Sequence, residues 1–135
     1  MTADPDLRAR REAVIIEHME SENVHDYDVT MATFSHPRYE IVPTGDVFDG
    51  TERVLEYFAE SRTAFPDQRN ELISLEIAQG GQVVLHFVLR GTPGGSANGF
   101  EVKLWAVFDF DDDDLMTNER VYVDRPDDEV IAGSA

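Results

Sequence analysis

At 135 residues, with a formal net charge of −17 and no cysteine, the chain is sized for one domain and has no means for disulfides, thiolate catalysis or a Cys-ligated zinc site. Such an excess of carboxylates repels phosphate backbones and argues against a nucleic-acid partner. No run approaches the ~18 apolar residues of a membrane span, and no charged, apolar, small-residue leader is evident, so a soluble, cytoplasmic protein is expected, with no membrane partner.

Ten of the 11 basic residues are arginine, with Lys103 the single lysine. That skew beside an Asp-rich surface fits a halophilic source, where dense carboxylates keep a protein soluble in concentrated salt. An ordinary acidic protein from a high-GC genome is the alternative.

Taken in order, Asp4-Pro5 reads as a capped helix start, and Leu7, Val14, Ile15, His18 and Met19 fall close to one stripe, predicting a helix to about Glu22. A shorter helical pattern follows in Val24, Tyr27, Met31 and Phe34, stopped by Pro37. Tyr39 to Val42 is expected as a short strand and Pro43 to Gly45 as a turn. Thr51 is read as the cap of a third helix with the stripe Val54, Leu55, Phe58 and Arg62, ending near Phe65-Pro66. Two strands are expected over about Arg69 to Ala78 and Gln82 to Arg90, joined at Gly80-Gly81. GTPGGSANG, from Gly91 to Gly99, is a loop, and residues 126–135 are expected to fray.

The stretch Phe100 to Asp124 alternates apolar and polar residues on both sides of Asp111 to Asp114, which predicts a hairpin with an acidic turn. If Asp111 pairs with Asp114, position numbers across the ribbon sum to 225 and each face can be written out. Val102, Leu104, Ala106 and Phe108 then share a face with Thr117, Glu119, Val121 and Val123. The opposite face takes Glu101, Lys103, Trp105, Val107 and Asp109 with Met116, Asn118, Arg120, Tyr122 and Asp124. The first face is apolar enough to meet the core, and it carries Glu119 inward, where a carboxylate needs a partner or a purpose. Helices first and antiparallel strands afterwards make an α+β arrangement, with helices gathered on one face of a curved sheet.

The order of elements, with the strings GDVFDGTERVLEYFAESRTAFPD, HFVLRGTPGG and NERVYVD, resembles the nuclear transport factor 2-like superfamily and within it the SnoaL-like group, over about residues 7 to 125. The resemblance implies a single domain built as a cone, about three N-terminal helices on a strongly curved, mainly antiparallel sheet, with an apolar pocket inside and often a homodimer. Members include polyketide cyclases, steroid isomerases, epoxide hydrolases and proteins without catalytic role. Laid against them, the isomerase acid falls at Ala106 and its base at Val42, while the acid of the epoxide hydrolases and cyclases falls at Val121. All three positions are apolar here.

Within that frame Glu119 is the candidate acid or base, its pKa raised by an apolar pocket; the alternative is a strand-end carboxylate paired with an arginine. His36, where the chain passes from helix to first strand, is a candidate for sharing a proton or anchoring a carbonyl, or else a plain loop histidine. Asp124 closes the last strand on the face of Trp105, Tyr122 and His86, a face either solvated or dimeric unless a bulge near Tyr122 swings Asp124 into the pocket. Tyr39, Tyr57, Phe58, Phe87, Phe108 and Val121 are the expected ligand-binding residues. Asp109-x-Asp111-x-Asp113 lacks the glycine and glutamate of a calcium loop, and the four histidines show no metal spacing, so no metal and no cofactor are expected. The expected function is to bind a small apolar or carbonyl-bearing molecule, with proton transfer of isomerase or cyclase type. A non-catalytic binding or dimerisation domain is the alternative.

Overall fold

The computed structural model describes residues 5–94 and 98–124, so the Asp4 cap, the middle of the GTPGGSANG loop and the tail expected to fray lie outside the described residues. The first helix, α1 (Pro5–Asn23), buries Ile15, His18 and Met19 and leaves Arg8 and Glu12 outside as an i,i+4 pair. Its last residue is fastened by two hydrogen bonds: Asn23 Nδ2 donates to the Asn70 carbonyl at 2.9 Å, and Asn70 N donates to Asn23 Oδ1 at 2.6 Å. His25 then takes φ +62 and reverses the chain, and Asp26 caps the short α2 (Tyr27–Ala32) by accepting from Val29 N. Val24, expected on the inner stripe of the second helix, precedes that reversal and is 74% exposed.

The third helix, α3 (Thr51–Ala64), buries Val54 and Phe58 against the sheet. Gly50 is its N-cap, at φ +92, with no side-chain cap bond, so Thr51 begins the helix instead of capping it. Leu55, placed on the inner stripe by spacing, is exposed.

Six strands form one sheet in the order β2-β1-β6-β5-β4-β3. β3 (Arg69–Ile77), β4 (Val83–Gly91), β5 (Phe100–Phe110) and β6 (Met116–Val123) run antiparallel in succession. β1 (Arg38–Ile41) then docks parallel to β6 and carries β2 (Asp46–Asp49) on its outer edge. β2 was not expected, because its four residues DVFD have no period long enough to register.

The final hairpin is offset from the expected register. Phe108 faces Glu119, Ala106 faces Val121 and Leu104 faces Val123, so paired numbers sum to 227. A longer turn causes the offset: the Leu115 and Asp113 amides both donate to Asp111 Oδ1, and Asp114 sits at φ +60. An offset of two residues leaves every side chain on its expected face, since strand faces alternate with a period of two. One irregularity does change a face. Asp109 faces Asn118 but Phe110 faces Met116, leaving Thr117 as the extra residue of a bulge. Met116, expected on the outer face, is thereby turned inward and is 0% exposed.

At that end of the sheet α1 is fastened to two turns. Arg11 donates through Nε to Asp114 Oδ1 at 2.9 Å and through its other nitrogens to the Gly81 and Asp111 carbonyls, while Arg10 Nε reaches Asp114 Oδ2 at 2.6 Å. The core between helices and sheet holds Ile15, Val54, Phe58, Val83, Phe108 and Met116, all essentially solvent-free. Burying each such side chain contributes about 1.5–3 kcal/mol. No helix among the described residues is long and apolar enough to cross a membrane.

Candidate functional site

Two local rules bring the polar groups of the interior together. His18 and Glu22 are four residues apart on α1 and so share one face of it. Tyr39 on β1 lies directly beside Glu119 on β6 in the parallel ladder, so both side chains leave the sheet on the same side, toward α1. They meet at the imidazole: His18 Nε2 lies 2.7 Å from Glu22 Oε2, 3.2 Å from Glu119 Oε1 and 3.1 Å from the Tyr39 hydroxyl. The Tyr39 hydroxyl also reaches Glu22 Oε2 at 3.0 Å, and Arg62 Nη2 on α3 donates to Glu22 Oε1 at 2.9 Å.

The far side of the ring fixes its tautomer. His18 Nδ1 is 3.1 Å from Thr33 Oγ1, and the Thr33 hydroxyl donates to the Thr30 carbonyl, so Thr33 accepts a proton from Nδ1. Nε2 is therefore the nitrogen that gains or loses the exchangeable proton. Phe34 and Phe108 close edge-on around the imidazole.

Burial opposes charge on His18, but the Glu22 carboxylate and the hydrogen bonds to Glu119 and Glu22 prevail and raise its pKa to about 9. Burial likewise opposes ionisation of Glu22, and the His18 and Arg62 charges overcome it, lowering Glu22 to about 2. Glu119 is 6% exposed, and burial pushes its pKa up against the pull of the His18 hydrogen bond. Tyr39 and Tyr57 are raised above the usual phenol range, first by burial. The site thus contains one firmly ionised carboxylate, one imidazolium and a second carboxyl whose affinity for a proton is raised by burial.

These groups border a cavity of about 70 Å³. Its apolar wall is Met19, Leu85, Phe87, Leu104, Phe108 and Val121, and Tyr57, Arg62, Gln68 and Asn70 join the His18 cluster as its polar lining. An engineered apolar cavity that takes benzene has roughly 150 Å³, so this one accommodates the reacting end of a molecule. His18, Glu22 and Glu119 also offer ligand atoms within 4.8 Å of one another, the spacing of a metal site. Glu22 is already neutralised by His18 and Arg62, and that guanidinium would repel a dication, so proton sharing suits the set better.

Of the expected residues, Glu119, Tyr39, Tyr57, Phe87, Phe108 and Val121 line the cavity. Phe58 is fully buried behind it and is not part of the lining. His36 is displaced from the expected place: its side chain is 57% exposed and pairs with Asp49 across the β1–β2 edge. Asp124 is also outside the cavity, on the outer sheet face, where it accepts from Trp105 Nε1 at 2.9 Å and bonds His86 Nε2 at 3.3 Å while the His86 and Trp105 rings stack. The register is unbroken near Tyr122, where Trp105 faces Tyr122 and Leu104 faces Val123, so no bulge turns Asp124 inward and it stays on the face that alternation gives it. Sequence reasoning missed His18, Glu22 and Arg62. The available signal was that His18 and Arg62 are the polar members of otherwise apolar helix stripes.

The SnoaL-like domain family matches the chain over residues 15–118. No curated protein matches it. Among solved structures, the epoxide hydrolase/cyclase-like enzyme SalBIII, described for pyran ring formation in the polyether salinomycin, is 23% identical with a TM-score of 0.74, over 86% of this chain and 92% of that one. Bal32a from a soil-derived mobile gene cassette is 13% identical at TM-score 0.77, over 89% and 93% of the two chains. A protein of ketosteroid isomerase-like fold from Catenulispora acidiphila, solved with trimethylamine, is 14% identical at TM-score 0.72, over 81% and 83%.

Proposed function

Because the chain belongs to the SnoaL-like domain family, we propose that its interior cavity binds a small, partly apolar molecule bearing a carbonyl and transfers a proton on it, as an isomerase or cyclase would. The observation that carries this reading is the imidazole nitrogen shared by Glu119, Glu22 and Tyr39 within 3.2 Å at the wall of an apolar cavity. Ionised Glu119 takes a proton from the carbon beside the carbonyl, and the carboxyl so formed, or the neighbouring imidazolium, returns a proton at a second position. Burial suits Glu119 to both roles by bringing its pKa toward neutrality. Glu22 holds the imidazolium in place, and Tyr39 donates a hydrogen bond to Glu22. The chemistry requires no cofactor.

Glu119 is not at the positions where the resemblance placed the acids of known activities, since Ala106 and Val121 are its neighbours on the same face. It stands two pairs along the ladder from them, opposite Phe108. The test is solvent deuterium exchange, followed by NMR, into the α-carbons of small ketones such as butanone and acetylacetone. Wild type is expected to exceed buffer, and Glu119→Gln to lose about 100-fold or more of that enhancement, the range general acid–base groups supply. Equal exchange by the two proteins would refute proton transfer.

A binding domain without turnover is the second reading, favoured by the size of the cavity, well below the roughly 300 Å³ at which ligand pockets begin. We also propose that the outer sheet face, with Trp105, Tyr122 and the His86–Asp124 pair, is the contact surface of a homodimer. Light scattering of wild type and Trp105→Ala separates a dimer from a monomer.

A further inference from the structure

Arg62 is an unusual cation in this chain. Its side chain is only 9% exposed, and it lines the cavity. Nη2 donates to Glu22 Oε1 and Nη1 to Ser61 Oγ at 2.8 Å, but Nε is buried and has no acceptor among the described residues. The guanidinium is held over the Phe58 and Tyr27 rings, at 5.1 and 5.7 Å from their centroids, which limits its freedom to swing elsewhere. A guanidinium carries five N–H donors, and only two are engaged by Glu22 and Ser61, so Arg62 keeps donors for a group that enters the cavity it lines.

A second donor lines the same cavity. The Tyr57 hydroxyl makes no hydrogen bond among the described residues, although Tyr57 lines the cavity and lies within electrostatic reach of Arg62, Glu22 and Glu119. Two cationic groups, Arg62 and His18, stand on either side of Glu22 at this wall of the cavity.

We propose that Arg62 and Tyr57 form an oxyanion subsite, and that the molecule this cavity takes carries a carboxylate beside its carbonyl: a short-chain oxo acid anion. A neutral ketone would accept one hydrogen bond from Tyr57 but would make no use of the charge on Arg62. A carboxylate answers both donors and the charge, and guanidinium geometry suits it. The cavity volume of about 70 Å³ matches a head group of a few non-hydrogen atoms. This inference rests on the proton-transfer reading for its reacting carbon, but binding tests it independently.

The experiment titrates acetoacetate and methyl acetoacetate, which differ in the anionic oxygen, into wild type, Arg62→Met, Tyr57→Phe and Glu119→Gln, with calorimetric binding and deuterium exchange as readouts. Wild type is expected to bind acetoacetate at least about tenfold more tightly than the ester, the selectivity of a charge-assisted hydrogen bond, and both subsite variants to lose that preference. Glu119→Gln is expected to keep the preference and lose the exchange. Because Arg62→Met removes a partner of buried Glu22 and could unfold the protein, Tyr57→Phe, which deletes one oxygen, decides the matter if it does. Equal affinity for acid and ester, binding of neither, or full preference retained by folded Tyr57→Phe overturns the subsite. Exchange into the ester that depends on Glu119, with no preference for the acid, overturns the subsite alone; preference for the acid with no exchange leaves the subsite and removes proton transfer.

Discussion

Glu22→Gln is the most informative single change, because it removes a charge while preserving shape. Glu22 is the hub of the buried network, contacted by His18 at 2.7 Å, Arg62 at 2.9 Å and the Tyr39 hydroxyl at 3.0 Å. The rise of His18 from 6.5 to about 9 corresponds to about 3 kcal/mol, at about 1.4 kcal/mol for each tenfold in proton affinity. Most of that originates in Glu22, and about 3–5 kcal/mol is also the usual cost of removing one partner from a buried ion pair. The substitution is therefore expected to destabilise the protein by about 3 kcal/mol at pH 7. A group whose folded pKa is raised contributes stability that is complete below its unfolded pKa and vanishes as pH rises through the folded one. Wild type should thus be most favoured by this pair below pH 6.5 and lose its contribution as pH passes about 9. Guanidinium melts at pH 6, 7.5, 9 and 10 measure the slope, and it should be absent in Glu22→Gln. A loss under about 1 kcal/mol together with a flat wild-type profile across that window would refute the claim that His18 is held protonated.

Three further outcomes follow from the geometry. Thr33→Val removes the acceptor of His18 Nδ1–H, so nitrogen-15 NMR should show the His18 pKa moving down from about 9; an unchanged titration would remove Thr33 from the tautomer argument. Met116→Ala should cost about 2–5 kcal/mol in chemical denaturation, as a fully enclosed methionine does, whereas the outward orientation expected from simple alternation would cost almost nothing. Asp114→Ala releases Arg10 and Arg11 from the acidic turn and should cost about 1–2 kcal/mol; a variant as stable as wild type would mean that the carbonyl contacts of Arg11 suffice to hold α1 against the turns.

The fold was largely legible because its signals are local. The faces of the final hairpin follow from a period of two, and they survived a register offset by two residues since such an offset preserves side-chain direction. The bulge at Thr117 was not legible, because it depends on how the turn from Asp111 to Leu115 closes its hydrogen bonds. Glu119 could be placed inside, as the one carboxylate carried by the inner face. His18 could not be recognised as its partner, because the two are 101 positions apart and nothing in α1 announces which strand residue the imidazole meets. Proximity to the first strand points to His36 in the sequence, but β2, whose four residues carry no periodic signal, supplies Asp49 beside it and the pair remains at the surface. Spacing alone makes every stripe position core-forming, which hides His18 and Arg62, the two positions where a charged residue occupies an apolar row.

The parallel docking of β1 on β6 has a consequence for how the buried polar cluster assembles. Tyr39 is translated long before Glu119, yet the two become neighbours only when the last strand slots in beside the first, and His18 and Glu22 wait on the same event. Pairings so distant along a chain are the late ones in assembly, because the intervening segment must be closed before any contact rewards it. Until β6 is in place, the group of His18, Glu22, Tyr39 and Arg62 has no Glu119 beside it, so the buried polar cluster is complete only in the finished sheet.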